Sequence, residues 1–277
     1  SGFISGGTNL ISNNMISGVT TNSNGSNDIS GGIVIGNQVG VTTQIYDNTV
    51  NLNADGFVTN TSANLALFVG GGSGVIPNLD IKNNILVNTT RFGTGNNFVV
   101  GFQIPGTAGN YANLLADNND FYVSSAGGFY NAIGVVGTGS TPSINPGNNN
   151  FTTLAAWQAQ TGRDANSKNI MPVFVSATDQ HLVNNAAANF NLNGTGVTLA
   201  AVTDDIDCDP RTGASSPDIG ADEFSSPPVD IAFDAIKPTA NTTCHSLSES
   251  IIVTVRNTGS TTIDMSTDPI AVSCTYS

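Results

Sequence analysis

The groups in this chain that could do chemistry are acidic. Residues 1 to 200 hold eight Asp and no Glu, and in the repeat region the candidate carboxylates are Asp47, Asp80, Asp117 and Asp120. Glycoside hydrolysis needs two or three carboxylates held about 5 to 9 Å apart, and these four are the candidates. Asp47 and Asp117 stand inside an Asn-rich motif, where corner formation explains them, and Asp120 follows such a motif. The bases before residue 200 are Lys82, Arg91, Arg163 and Lys168, without paired acids beside them. His181, the sole His of that region, has no evident partner and reads as a surface or closing-turn residue. Asp205, Asp207 and Asp209 alternate like the opening of a calcium loop, but Pro210 and Arg211 occupy the place where that loop continues with Gly. They are therefore read as structural, with Arg211 pairing one of these Asp residues or Asp218. The alternative is a structural Ca2+; no other cofactor is expected.

What must position these groups is a repeat. The pattern apolar-x-(Asn/Asp)-Asn-x-apolar occurs at Ile11 to Ile16, Ile45 to Val50 and Ile81 to Leu86, with degenerate copies ending at Phe121 and Phe151. Its second amide falls at Asn14, Asn48, Asn84, Asn119 and Asn149, at intervals of 34, 36, 35 and 30 residues. A second apolar run lies in each unit: Ile33 to Ile35, Leu65 to Val69, Phe98 to Phe102 and Ala132 to Val136. Each unit thus predicts at least two short strands. A unit of this size cannot bury its apolar side alone, so it must stack on its neighbours as a coil of parallel strands. Asn suits a fixed place in such a stack, because it tolerates a left-handed corner and its side chain can bond to the equivalent Asn one coil away. Turn-forming amides of a β-sandwich are the other reading of the same residues.

Composition agrees with a turn-rich all-β fold. Only 10% of residues are charged and 39% are hydrophobic, while 31 are Gly and 36 are Asn. The net charge of -13 lies mostly in the tail: residues 1 to 200 carry 4 - 8 = -4, and the last 77 carry 3 - 12 = -9. No basic strip is present to follow a phosphate backbone, which argues against nucleic-acid binding. No run of eighteen apolar residues occurs, so no membrane insertion is expected. The termini, cut inside patterned sequence, read as those of a piece of a longer polypeptide.

From Phe151 the pattern changes. A segment with Trp157, Thr161, Gly162, Asp164 and Ser167 is followed by Pro172 and Phe174, then Asp205, Asp207 and Arg211, then Pro217 to Phe224. This ordered succession resembles the C-terminal end of right-handed parallel β-helix proteins of the pectate-lyase-like superfamily, particularly large secreted proteins of Bacteroidetes-type bacteria. Two positions depart from the family's turns: Met171 stands where it has Asp, and Cys208 where it has Gly, a strained choice if that position needs positive φ.

The expected architecture is all-β: a right-handed parallel β-helix (solenoid) over 1–224 with its closing segment from about 151, a linker at 225–228, and a partial immunoglobulin-like β-sandwich over 229–277. The last part resembles the first half of a CARDB-type module, with Ile251, Val253 and Val255 on one face. Cys244 and Cys274 could pair in an external compartment or remain buried thiols. The resemblance implies an extracellular or outer-surface location and a non-enzymatic, adhesin-like module, a stiff spacer or an element that binds a glycan or another cell surface. The alternative is a polysaccharide lyase or glycoside hydrolase whose groove lies partly outside this stretch.

Overall fold

A computed structural model describes residues 7–20, 29–36, 40–54, 63–70, 77–91, 96–103, 111–125, 130–137, 149–211, 216–225, 231–238, 251–257, 259, 262–263 and 266. Four successive units each supply three strands. The first holds β1 (Thr8–Ser12), β2 (Met15–Ser17) and β3 (Ile29–Ile35), and the second β4 (Thr42–Tyr46), β5 (Thr49–Leu52) and β6 (Ala63–Gly70). The third holds β7 (Asn78–Lys82), β8 (Ile85–Asn88) and β9 (Asn96–Gln103), and the fourth β10 (Leu114–Asp117), β11 (Asp120–Val123) and β12 (Tyr130–Gly137).

The sequence motif straddles two of these strands because one residue inside it turns the chain. Asn13, Asp47, Asn83 and Asn118 have φ of 52°, 52°, 56° and 54°, a left-handed conformation that short polar side chains adopt at low cost. The corner therefore belongs to the residue before the recurring amide, and it splits one apparent strand into two. Strands on the two sides of the corner enter different sheets.

Three sheets result, each taking one strand from every unit: β1-β4-β7-β10, β2-β5-β8-β11 and β3-β6-β9-β12. All of these pairings are parallel. Register places like on like: Ile11, Ile45, Ile81 and Ala116 stack along the first sheet, and Ile16, Val50, Leu86 and Phe121 along the second. These columns join Leu67, Val69, Val100, Phe102 and Val136 of the third sheet in one apolar core. Each fully buried Val, Ile, Leu or Phe among them contributes roughly 1.5–3 kcal/mol by leaving water.

The stack ends at a cap. β13 (Asn149–Phe151) pairs with β12 antiparallel, with Val136 opposite Asn149, so the last copy of the sequence motif does not form a fifth parallel unit. The helix α1 (Leu154–Thr161) follows, opened by Thr153, whose hydroxyl accepts from the Ala156 amide, and closed by Gly162 at φ 64°. Trp157 is buried against Phe102 and Phe151 with ring centroids 5.6 and 5.7 Å away. Gly134 lies directly beneath: a Cβ there would stand 2.1 Å from Trp157 Cε3.

Residues 164–211 and 216–225 then fold back over the outer face of the second sheet. β5 and β8 are buried on both faces: Leu182, Leu192, Ile219 and Phe224 pack with Ile85 and Val87 of β8 as a second apolar layer, while Thr49 and Asn51 of β5 meet the Ala221 amide and Gln180. Beyond this segment, β14 (Ile231–Pro238) and β15 (Ile251–Asn257) form an antiparallel pair. Cys244, Cys274 and most of the 225–228 linker lie outside the described residues, so their pairing and path do too; Cys208 is an exposed free thiol. Among the described residues no helix is long and apolar enough to cross a membrane.

Candidate functional site

Four of the five recurring amides form one continuous ladder. Asn14 Nδ2 donates to Asn48 Oδ1 at 2.8 Å, Asn48 Nδ2 to Asn84 Oδ1 at 2.9 Å and Asn84 Nδ2 to Asn119 Oδ1 at 3.0 Å. Each of these Oδ1 atoms also accepts the backbone N–H of the Asn before it in the ladder. Asn48, Asn84 and Asn119 are fully buried, where such a network is strong only when every member is satisfied. From Asn119 the ladder runs on into the closing segment. Its next member is Asp164, whose Oδ1 accepts from Asn119 Nδ2 at 3.1 Å and from Ser167 Oγ at 2.8 Å, and whose Oδ2 accepts from Trp157 Nε1 at 3.0 Å. Burial pushes the Asp164 carboxyl above the usual range.

The left-handed corner residues have a separate use: they form a row onto which the closing segment docks. Asn13 Nδ2 donates to Asp204 O at 2.6 Å, and Asn118 Nδ2 to Thr195 O at 3.0 Å. Asn83 makes a two-way contact with Val197, donating from Nδ2 at 2.8 Å and accepting the Val197 N–H at 2.9 Å. The remaining corner, Asp47, faces Arg211, with Asp47 Oδ1 at 3.6 Å from Nη1.

Arg211 is the node of this closure. Its Nη1 donates to Glu223 Oε1 at 2.5 Å and its Nη2 to the Gly220 carbonyl at 2.8 Å. The acids expected as partners act otherwise. Asp218 Oδ1 and Oδ2 accept the amides of Gly194 and Phe224, and Asp218 meets Arg211 only through its carbonyl, at 3.5 Å. Asp205 Oδ1 accepts the amides of Asp207 and Asp209 at 2.8 Å each, and its Oδ2 accepts the Glu223 amide. Asp205 therefore closes a turn, and among the described residues the ligand atoms of Asp205, Asp207 and Asp209 are not brought together as one group. Desolvation raises Asp47 and Asp218 to about 7, outweighing the lowering effect of Arg211 on both.

The sequence offered no partner for His181, and the fold supplies two. Its Nδ1 lies 2.5 Å from Asp179 Oδ1 and its Nε2 lies 2.8 Å from Asp207 Oδ2. Asp222 stands beside them, and the ligand atoms of His181, Asp207 and Asp222 all fall within 4.8 Å of one another. Only the alternation through Asp207 hinted at this place.

Two further faces are open among the described residues. On the outside of the first sheet Tyr46 Oη donates to Asp80 Oδ2 at 2.6 Å, and Lys82 Nζ lies 2.9 Å from Asp80 Oδ1. Leu10 and Leu115 flank this face at 43% and 54% exposure. Elsewhere, Asn53, Thr89, Arg91, Tyr122, Ser124 and Met171 line a polar cleft of about 400 Å³. Asp117 and Asp120 contribute to neither: Asp117 accepts from the Asn166 backbone and side-chain amides, and Asp120 Oδ1 accepts the Ile170 amide at 2.8 Å. Asp120 is completely buried and raised to about 8 by desolvation. The chain matches no family model, no curated protein and no solved structure, so its functional reading rests on this geometry.

Proposed function

We propose that this chain is the C-terminal part of a right-handed parallel β-helix of the pectate-lyase-like type, followed by the start of an immunoglobulin-like, CARDB-type module. In this reading it is a non-enzymatic, adhesin-like module of a larger extracellular or outer-surface protein. The β-helix is a stiff spacer that presents its cleft to a glycan. One observation carries the reading: the described carboxylates of the repeat region, Asp47, Asp80, Asp117 and Asp120, serve the fold. Asp47 faces Arg211, Asp80 holds Tyr46 and Lys82, Asp117 holds Asn166 and Asp120 holds the Ile170 amide. Acids used this way do not form the facing pair that glycoside hydrolysis needs. The cleft around Tyr122 has the make-up of a sugar site, with an aromatic face beside Asn, Thr, Ser and Arg groups.

The test is a glycan array run beside uronic-acid lyase and reducing-sugar assays on the same preparation. Expected are saturable binding to a subset of glycans, at least tenfold weaker in Tyr122→Ala, and no product. Turnover would overturn the reading. Turnover lost in Lys82→Ala would favour the rival, a lyase built on the open face where Lys82 and Tyr46 meet Asp80.

A further inference from the structure

His181, Asp207 and Asp222 reach one place from three separate stretches of the closing segment. His181 follows a tight turn held by the Ser176 amide on the Asp179 carbonyl and the Val175 amide on the His181 carbonyl. Asp207 is set by the turn that Asp205 closes. Asp222 follows Gly220 and Ala221, whose amides are fixed to the Asn83 carbonyl and Thr49 Oγ1. It is only 7% exposed, and its Oδ2 accepts the Leu182 amide at 2.8 Å. Its other oxygen receives no hydrogen bond from the described residues. A cleft of about 500 Å³ opens alongside, lined by His181, Asp209, Asp222 and Glu223 among others, with room for water.

Asp179 on Nδ1 has the role that an outer carboxylate plays behind a metal-binding imidazole: it fixes the ring and the tautomer that leaves the Nε2 lone pair outward. That lone pair would face the Asp207 carboxylate at 2.8 Å. A lone pair and a carboxylate so placed need a proton or a metal cation between them, and without metal it is a proton. The acids around the ring, Asp179, Asp207 and Asp222, supply the field that holds it, and Asp205 adds to the charge at Asp222. The Arg211 guanidinium is turned to Glu223 and Asp47.

We propose that His181 Nε2, Asp207 and Asp222 bind one divalent transition-metal ion of the Zn2+ class, which displaces the Nε2 proton to solvent and takes water from the cleft as a further ligand. Imidazole with two carboxylates suits Zn2+, whereas Ca2+ takes oxygen ligands. Bonds of about 2.0–2.2 Å place ligand atoms ~3.4 Å apart at a tetrahedral zinc, between the observed 2.8 Å contact and the 4.8 Å span of the group. The ion would tie residues 179–181, 207 and 222 together and so pin the closing segment.

The experiment is calorimetric titration of the chelator-stripped full chain with ZnCl2, paired with thermal unfolding. Expected are a site of one Zn2+ per chain, a rise in Tm of roughly 5 °C at saturating metal, and proton release on binding. Affinity should fall by about 10- to 100-fold in H181Q and in D207N. Because His245 could also hold zinc, H245Q is titrated in parallel and should keep the site. Binding that survives both H181Q and D207N, binding lost in H245Q, or a preference for Ca2+ would overturn the proposal. If H181Q fails to fold, D207N decides, its metal-free Tm serving as the folding control.

Discussion

Asp47 Oδ1 and Arg211 Nη1 lie 3.6 Å apart with both side chains almost completely buried, one at a corner of the second unit and the other in the segment that closes the fold. The contact joins the repeat to its closure where neither charge can be hydrated. Arg211→Met should destabilise the chain by about 3–5 kcal/mol, because Asp47 and Glu223 are left buried without a counter-charge. Urea unfolding measures this, and a loss below 1 kcal/mol would show that the node does not hold the closing segment.

Stability should fall as pH rises from about 5 to 9. Asp47 and Asp218 are raised to about 7 and Asp120 to about 8, all chiefly by desolvation. Between the unfolded value near 3.9 and these folded values, the native chain holds protons that the unfolded chain has released. Its stability therefore decreases with pH and is lost through about 7 to 8. His181, raised chiefly by Asp179, acts in the same direction above its unfolded pKa. Tm measured in chelator at pH 5, 7 and 9 checks the sign, and Asp120→Asn, a permanently neutral acceptor for the Ile170 amide, should flatten the curve.

The interior of the Asn ladder should matter more than its end. Asn84→Ala removes the acceptor of the Asn48 backbone N–H and Nδ2 and the donor to the Ile45 carbonyl and Asn119 Oδ1, a cost of about 3 kcal/mol or more at 1–3 kcal/mol per unsatisfied group. Asn14 is exposed, so Asn14→Ala should cost about 1 kcal/mol or less. Equal losses in denaturant unfolding would sink the idea of a cooperative buried ladder.

Gly134→Ala should dislodge Trp157, since the new methyl group would occupy its ring. Trp157 is the only Trp in the chain, so intrinsic fluorescence reports the cap directly. A red-shifted emission maximum under native conditions is expected; an unchanged spectrum would mean the cap tolerates the methyl.

Cys208 takes φ 72°, a conformation suited to Gly. Cys208→Gly should stabilise the chain by about 1 kcal/mol through relief of the left-handed Cβ contact, read as a higher urea midpoint.

The sequence by itself determined the parts that repeat. Spacing alone located Asn14, Asn48, Asn84 and Asn119, and the apolar runs at Ile33, Leu65, Phe98 and Ala132 lie within β3, β6, β9 and β12, because each unit repeats the same local solution. It placed the corner correctly at Asp47 but also at Asp117, where Asn118 turns the chain, and it gave corner and ladder to one recurring amide, since Asn at both positions of the motif is compatible with either role and only backbone φ separates them. It also included Asn149, whose motif matches although its strand runs antiparallel. Tertiary structure alone decided the rest: Asp164 as the ladder's next member, Glu223 and Asp47 as the partners of Arg211, and Asp207 as the partner of His181. These pairings depend on where a non-repeating segment lands on a distant surface, and that is set by the summed burial of Leu182, Leu192, Ile219 and Phe224 on the second sheet, a quantity no local spacing encodes.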